Sequence, residues 1–323
     1  MTNVRRLVFG ILRFTGVPFL LRNLLQRDRI TVLCYHDPTP EVFARHIAVL
    51  CRRYNVISLQ DFLDARRMAR VDQLPRKALI VTFDDGHKGN RRLLPILREQ
   101  HIPATIFLCS AIVGTNRHYW WSACSDNRTV ERMKRVGDDE RMALLAEKGF
   151  DERTEWQDRQ SLSWPEVDEL GEIVDFQAHG RFHPVLPRCG LERARDEIAG
   201  GKAELETRCG RAVYAFAYPN GDYCDRDVEL VRDAGYACAF TIDGGYNDLK
   251  TDVFRLKRMR VDDAADVSEL IVKASGLWSL VEKLRGRLDG VRYPSRSNAN
   301  RNQPGEATAS EREPSERRAY VED

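Results

Sequence analysis

Asp84 and Asp85 close a short apolar, β-branched run, Ala78-Leu79-Ile80-Val81-Thr82-Phe83, and Gly86 follows them. Such a run reads as a buried strand whose end the glycine marks. Neighbouring side chains on a strand point to opposite faces, so only a turn at its end brings both carboxylates into one cavity. There they repel unless a cation or a shared proton compensates. Alone, the tripeptide reads more readily as a surface Asp-Asp-Gly turn. A second signal lies further on, in His179-Gly180-Arg181-Phe182-His183-Pro184. The spacing of His179 and His183 lets both imidazoles meet one ion. Two neutral imidazoles and a carboxylate make an open site for Zn²⁺ or a similar ion, with positions left for water and substrate. Such a site hydrolyses an amide or ester, because the ion lowers the pKa of water toward ~7 and polarises the carbonyl. One aspartate of the pair then binds the ion while its neighbour takes the water's proton.

The elements around these residues alternate. Strands are expected at Ile30–Tyr35, Asn55–Leu59, Ala78–Phe83, Ala104–Leu108, Ile173–Gln177, Val213–Ala217, Tyr236–Thr241 and Arg255–Val261. Amphipathic helices are expected between most of them, as in Glu41–Tyr54 with Phe43, Ile47, Leu50 and Cys51. This rhythm predicts parallel strands with crossover helices, and hence an α/β fold: a deformed or incomplete (β/α) barrel, with a doubly wound sheet as the alternative. His36, Asp84-Asp85, His179 and Asn220 all fall just past strand C-termini, where such barrels carry their sites. Residues 114–162 break the rhythm as a helical insertion, whose Tyr119-Trp120-Trp121 suits a sugar-binding groove or plain core. The barrel domain is expected over 30–290, after an amphipathic segment at 1–29. A polar tail at 291–323 is expected to be disordered.

A hydrophobic content of 42% and a charged content of 31% fit an ordinary soluble globular protein. The net charge of +2 argues against a nucleic-acid partner. Eight cysteines without a CxxC pair read as reduced, small apolar residues. In the N-terminal segment Val4, Leu7, Val8 and Ile11 recur at helical spacing among arginines. Arg13 and Pro18 interrupt the apolar core that a cleavable signal peptide needs, and no run reaches the ~20 apolar residues of a spanning helix. An interfacial anchor facing anionic lipid is expected, with a helix packed on the domain as the alternative. The expected location is cytoplasmic, peripheral to the inner face of the membrane.

Thr82-Phe83-Asp84-Asp85-Gly86 and His179-x-x-x-His183-Pro184, in this order, resemble the first two motifs of the polysaccharide deacetylases. These are the NodB-homology or family 4 carbohydrate esterases. The resemblance covers roughly residues 30–262, and Tyr35-His36 is similar to the exopolysaccharide branch. It implies a deformed barrel, one divalent ion (Zn²⁺ expected), and removal of N-acetyl groups from an amino-sugar polymer or its lipid-linked precursor. It makes Asp84 the general base and Asp85, His179 and His183 the metal ligands. Tyr218-Pro219-Asn220 stands at the family's third motif, where a backbone N–H at Asn220 serves as oxyanion donor. That motif's arginine, which steadies the base, is missing, and no fourth motif is recognisable. In the fifth motif Arg258 stands where the family has a histidine. Arginine gives up no proton near neutral pH, so His36 is the expected general acid. His87 is read as a turn cap, with substrate contact as the alternative, and His46, His101 and His118 as structural or surface residues. The alternative function is a carbohydrate-binding or scaffold protein on a degenerate barrel. Retention of Asp84 beside the ligand set favours the enzyme.

Overall fold

Period-2 alternation decides how the strands are used. In the computed structural model, which describes residues 3–70 and 73–288, eight strands form one sheet. They are β1 (Thr31–Tyr35), β2 (Asn55–Val56), β3 (Ala78–Phe83), β4 (Ala104–Leu108), β5 (Val174–Ala178), β6 (Ala215–Ala217), β7 (Cys238–Phe240) and β8 (Met259–Arg260). Their order is β7-β6-β5-β4-β3-β1-β8, with β2 also against β3, and every strand pairing is parallel. A single parallel bridge, Phe240 to Leu256, ties β7 to the segment that runs into β8, and β8 pairs with β1. The sheet thus curls into a deformed (β/α) barrel rather than lying open as a doubly wound sheet.

Leu33, Leu79, Val81 and Phe83 face the helical layer in one buried cluster. Val32, Ala78, Ile80, Phe107, Ala217, Phe240 and Leu256 pack in another, inside the curl. Both faces of the strands are therefore apolar, as parallel sheets demand.

Several elements are shorter than the apolar runs that announce them. Only Met259–Arg260 of Arg255–Val261 is strand, because Val253–Arg255 is a 3₁₀ turn with the Asp252 side chain accepting from Phe254 N. The long helix after Leu191 contains a π-helical stretch at Asp196–Gly200. Two helices without sequence expectation, Val267–Ala274 and Leu277–Leu288, follow β8. Residues 114–162 hold the helices Asn127–Met133 and Asp138–Ala146, around a cluster of Trp120, Met133, Leu145 and Phe150. All eight cysteines are free. The expected tail at 291–323 lies outside the described residues.

Candidate active site

Ala78 and Ile80 point into the barrel, and that parity carries on through Thr82 to Asp84. The Asp84 amide still continues the ladder, donating to Tyr35 O at 2.9 Å. The same parity follows Val32 to Cys34, and Leu256 to Arg258. Cys34 within β1, Asp84 just past β3 and Arg258 just before β8 therefore deliver side chains to one interior point. Arg258 is fully buried and grips Asp84 with both ends of its fork, Nη1–Oδ1 at 2.6 Å and Nη2–Oδ2 at 2.8 Å. Its Nη1 also reaches Thr82 Oγ1 at 3.3 Å, and the Cys34 thiol donates to Asp84 Oδ2 at 3.2 Å. Burial alone would raise the Asp84 carboxyl, but the Arg258 guanidinium, with His179 beyond it, pulls it down to about 2. Burial also pushes the Cys34 thiol well above its ordinary value, so it stays a protonated donor. The arginine missing from the third motif is thus replaced from across the barrel.

At Asp85 the chain turns, with a φ of 72° that L-residues adopt at a cost of about 1–3 kcal/mol unless their surroundings enforce it. The enforcing contacts are Tyr119 Oη donating to Asp85 O at 2.9 Å and His87 Nε2 on Asp85 Oδ2 at 3.0 Å. His87 therefore braces a carboxylate rather than capping a turn. Burial opposes the Asp85 charge, yet His183 and then His87 hold its carboxyl well below the usual range.

His179 N continues the β4 ladder to Leu108 O at 2.9 Å. Its Nδ1 lies 2.7 Å from Ala217 O, which puts the proton on Nδ1 and leaves the Nε2 lone pair for an ion. Burial drives His179 down to about 4, so the ring is neutral at physiological pH. The turn from His179 to His183 is held from beneath by Glu197, whose Oε2 accepts from Arg181 N at 2.6 Å and Phe182 N at 2.9 Å. A Cβ at Gly180 would stand 3.0 Å from that oxygen on a backbone with φ of 79°, so only glycine fits there without strain. His183, itself at φ 59°, is fixed by Trp120 Nε1 donating to its carbonyl at 2.9 Å and by the Trp121 ring edge-on at 4.6 Å.

These turns bring Asp85 Oδ1 to 3.5 Å from His179 Nε2 and 3.2 Å from His183 Nε2. The three ligand atoms lie within 4.8 Å of one another, and Asp85 Oδ1 is buried without a hydrogen-bond partner. Two neutral-capable imidazoles and an orphaned carboxylate oxygen around one point fit a divalent ion. Cys34, His36 and Asp84 are as close together, but there the carboxylate is already taken by Arg258.

A cavity of about 800 Å³ opens over the site, lined by His36, Asp84, Asp85, His87, His179 and His183 among others. The helical insertion supplies part of its wall through Trp121, Val130, Lys134 and Arg135. Asn220 lines it, on a backbone with φ of 57°. Tyr218 and Pro219 are buried behind Asn220. The Tyr218 side chain donates to Phe254 O at 3.0 Å and stacks on Tyr223, so it does not reach the cavity. His46 is structural, between Tyr35 Oη and Ala265 O. Cys34, Glu197 and the pairing role of Arg258 were not foreseen. Strand parity was the available signal for Cys34 and Arg258.

The sequence model of the family described as "Polysaccharide deacetylase" matches residues 72–239. His36 and Arg258, which flank Asp84, both lie outside that stretch. A search of curated proteins finds no match. Among solved structures, the Streptococcus pyogenes deacetylase PplD in complex with acetate superposes with a TM-score of 0.57 at 17% identity, over 76% of this chain and 98% of that one. IcaB from Ammonifex degensii gives 0.56 at 22% identity, over 78% and 98%. The BpsB deacetylase domain from Bordetella bronchiseptica gives 0.52 at 17%, over 72% and 96%. At these identities the likeness is one of fold.

Proposed function

The chain belongs to the polysaccharide deacetylase family, and from that premise we propose that it is a divalent-metal-dependent hydrolase of N-acetyl groups on an amino-sugar polysaccharide, with Asp84 as general base. One observation carries this reading. Asp84 is held ionised by Arg258 beside a separate ligand set of Asp85, His179 and His183, in one cavity. A carbohydrate-binding scaffold has no use for a second buried carboxylate maintained at such cost.

In this reading Asp85, His179 and His183 hold the ion, expected to be Zn²⁺. Bound there, it supplies Lewis acidity, polarising the acetyl carbonyl and lowering the pKa of water toward ~7. Asp84, which lines the cavity and is held in place by Arg258 and Cys34, takes the proton of the attacking water. The backbone at Asn220 offers its N–H to the developing oxyanion. Acetate release should be assayed on N-acetylated amino-sugar polymers and on lipid-linked oligosaccharides, with chelated protein and after Zn²⁺ is restored. Release from a polymer, lost on chelation and regained with the ion, is the expected result. Metal-loaded protein that frees no acetate from any glycan would leave the binding protein as the better account.

His36 is the proposed general acid, since the leaving amine must be protonated and Arg258 cannot do it. Burial lowers its pKa below the ordinary 6.5, with the Asp85 and Asp84 carboxylates opposing that fall. An acid works only while protonated, so the rate should decline as pH rises through a value below 6.5. His36→Gln should remove that limb and slow amide substrates by ~10²-fold. A nitrophenyl acetate, whose leaving group needs little protonation, should suffer far less. Equal losses on both substrates would reduce His36 to a supporting residue.

A further inference from the structure

The Asn3–Phe14 helix is packed the wrong way round for a soluble domain. Its amphipathic stripe should face the core. Instead Phe9 alone of its large apolar residues is buried, against Trp278 at 4.8 Å. Half-buried Leu12 shares that face, which is otherwise basic: Arg5 reaches Asp262 and the buried Glu269, and Arg13 donates to Ser268. Val4, Leu7, Val8, Ile11 and Phe14 point to solvent, with Phe14 80% exposed. After a turn at Gly16 the pattern continues through Phe19, Leu20, Leu24 and Leu25. Most of the exposed large apolar side chains among the described residues therefore sit in this one segment.

Its surroundings are cationic. Residues 1–30 carry six arginines against Asp28 alone, in a chain whose net charge is only +2. Beside Asn23 and Arg27 opens a cavity of about 510 Å³ lined also by Arg52, Arg53, Arg76 and Lys77. Arg22 Nε is buried without a hydrogen-bond partner. Burial, and then repulsion from Arg22, Arg13 and Arg52, pushes the Arg53 guanidinium down, as expected where cations gather without a counter-anion.

We propose that residues 4–25 and the adjoining arginine-lined cavity form a docking surface for an anionic lipid bilayer, the apolar side chains entering the interface and the cavity taking a phosphate-bearing headgroup. A second copy of the chain is a poor occupant, because a self-complementary contact would set like charges against each other. Among the described residues no single helix is long and apolar enough to cross a membrane, and the two helices Val4–Phe14 and Val17–Leu25, which together have the length and composition, are bent from each other by 56°. Arg5 and Arg13 hold the first helix against the domain, and in the proposed docking the segment therefore lies along the surface of the bilayer. The cavity residues immediately precede β2 and β3, which sets the cavity at the opposite end of the strands from Asp84 and His179.

The test is sedimentation of the full chain with phosphatidylcholine vesicles, with and without phosphatidylglycerol. Binding should require phosphatidylglycerol and weaken with salt. Phe14→Glu with Leu24→Glu should abolish it. Replacing Arg52, Arg53 and Arg76 by Gln should weaken it by about 10²-fold, at the scale of one contact per basic residue. Unchanged thermal unfolding shows that the variants fold. Absence of sedimentation with anionic vesicles overturns the proposal. So does equal binding to neutral vesicles, or a solution dimer of the wild-type chain that the Phe14/Leu24 variant disperses.

Discussion

Asp84→Asn should keep its divalent ion and lose at least ~10²-fold in acetate release, the scale of a positioned base. His183→Ala should do the reverse in order of cause: it loses the ion, and activity goes with it, because an open site with three protein ligands cannot spare one. The contrast follows from the geometry. Asp84 oxygens face Arg258 and Cys34, whereas Asp85 Oδ1 faces His179 and His183. Asparagine is nearly isosteric with aspartate and still accepts from the Arg258 fork with one oxygen, so the ligand set beside it keeps its shape, while the guanidinium left without its counter-charge lowers the variant's stability. Metal content is read by elemental analysis and activity by acetate release on the same samples. Loss of the ion from Asp84→Asn would show that the two aspartates share the ligand role, and the base would have to be sought elsewhere.

What the sequence made legible, and what it did not, follows one physical boundary. Asp84-Asp85 and the histidine pair could be read because each rests on a local run, a strand that must end where a turn begins. The ends of β6, β7 and β8 could not, because apolar runs report burial, and burial extends past the residues that make ladder bonds. Val267, Leu270, Ile271 and Ala274 hold helical spacing that went unread behind the charged stretches around them. The N-terminal stripe was visible as amphipathic, but only tertiary contacts such as Arg5 to Glu269 reveal which side faces out. Arg258 is the sharpest case. Its motif position suggested a lost proton donor, while its partner lies 174 residues away and is reached only when β8 closes the barrel beside β1.

Arg258→Met should be among the most destabilising changes available in this chain. A buried ion pair broken on one side leaves an uncompensated charge and costs about 3–5 kcal/mol, whereas removing both charges can be close to neutral. Arg258→Met combined with Asp84→Asn should therefore recover most of the stability that Arg258→Met loses, measured by urea unfolding of the ion-free protein. The pH dependence should also change sign. In the wild type the folded pKa of Asp84, about 2, lies below its ordinary 3.8, so the stability it contributes is present above 3.8 and is lost as pH falls toward 2. Without the guanidinium, burial is less strongly opposed and the folded pKa moves upward. Where it passes the ordinary value, the variant becomes less stable as pH rises. Activity should acquire a new acid limb over the same range, because a protonated Asp84 takes no proton from water. Lysine should not substitute, since an ammonium cannot bridge both carboxylate oxygens as the planar fork does. If Arg258→Met unfolds at the wild-type urea midpoint and keeps the wild-type pH profile, the pair is not what holds Asp84 ionised. The burden would then fall on Cys34, His179 and the bound ion.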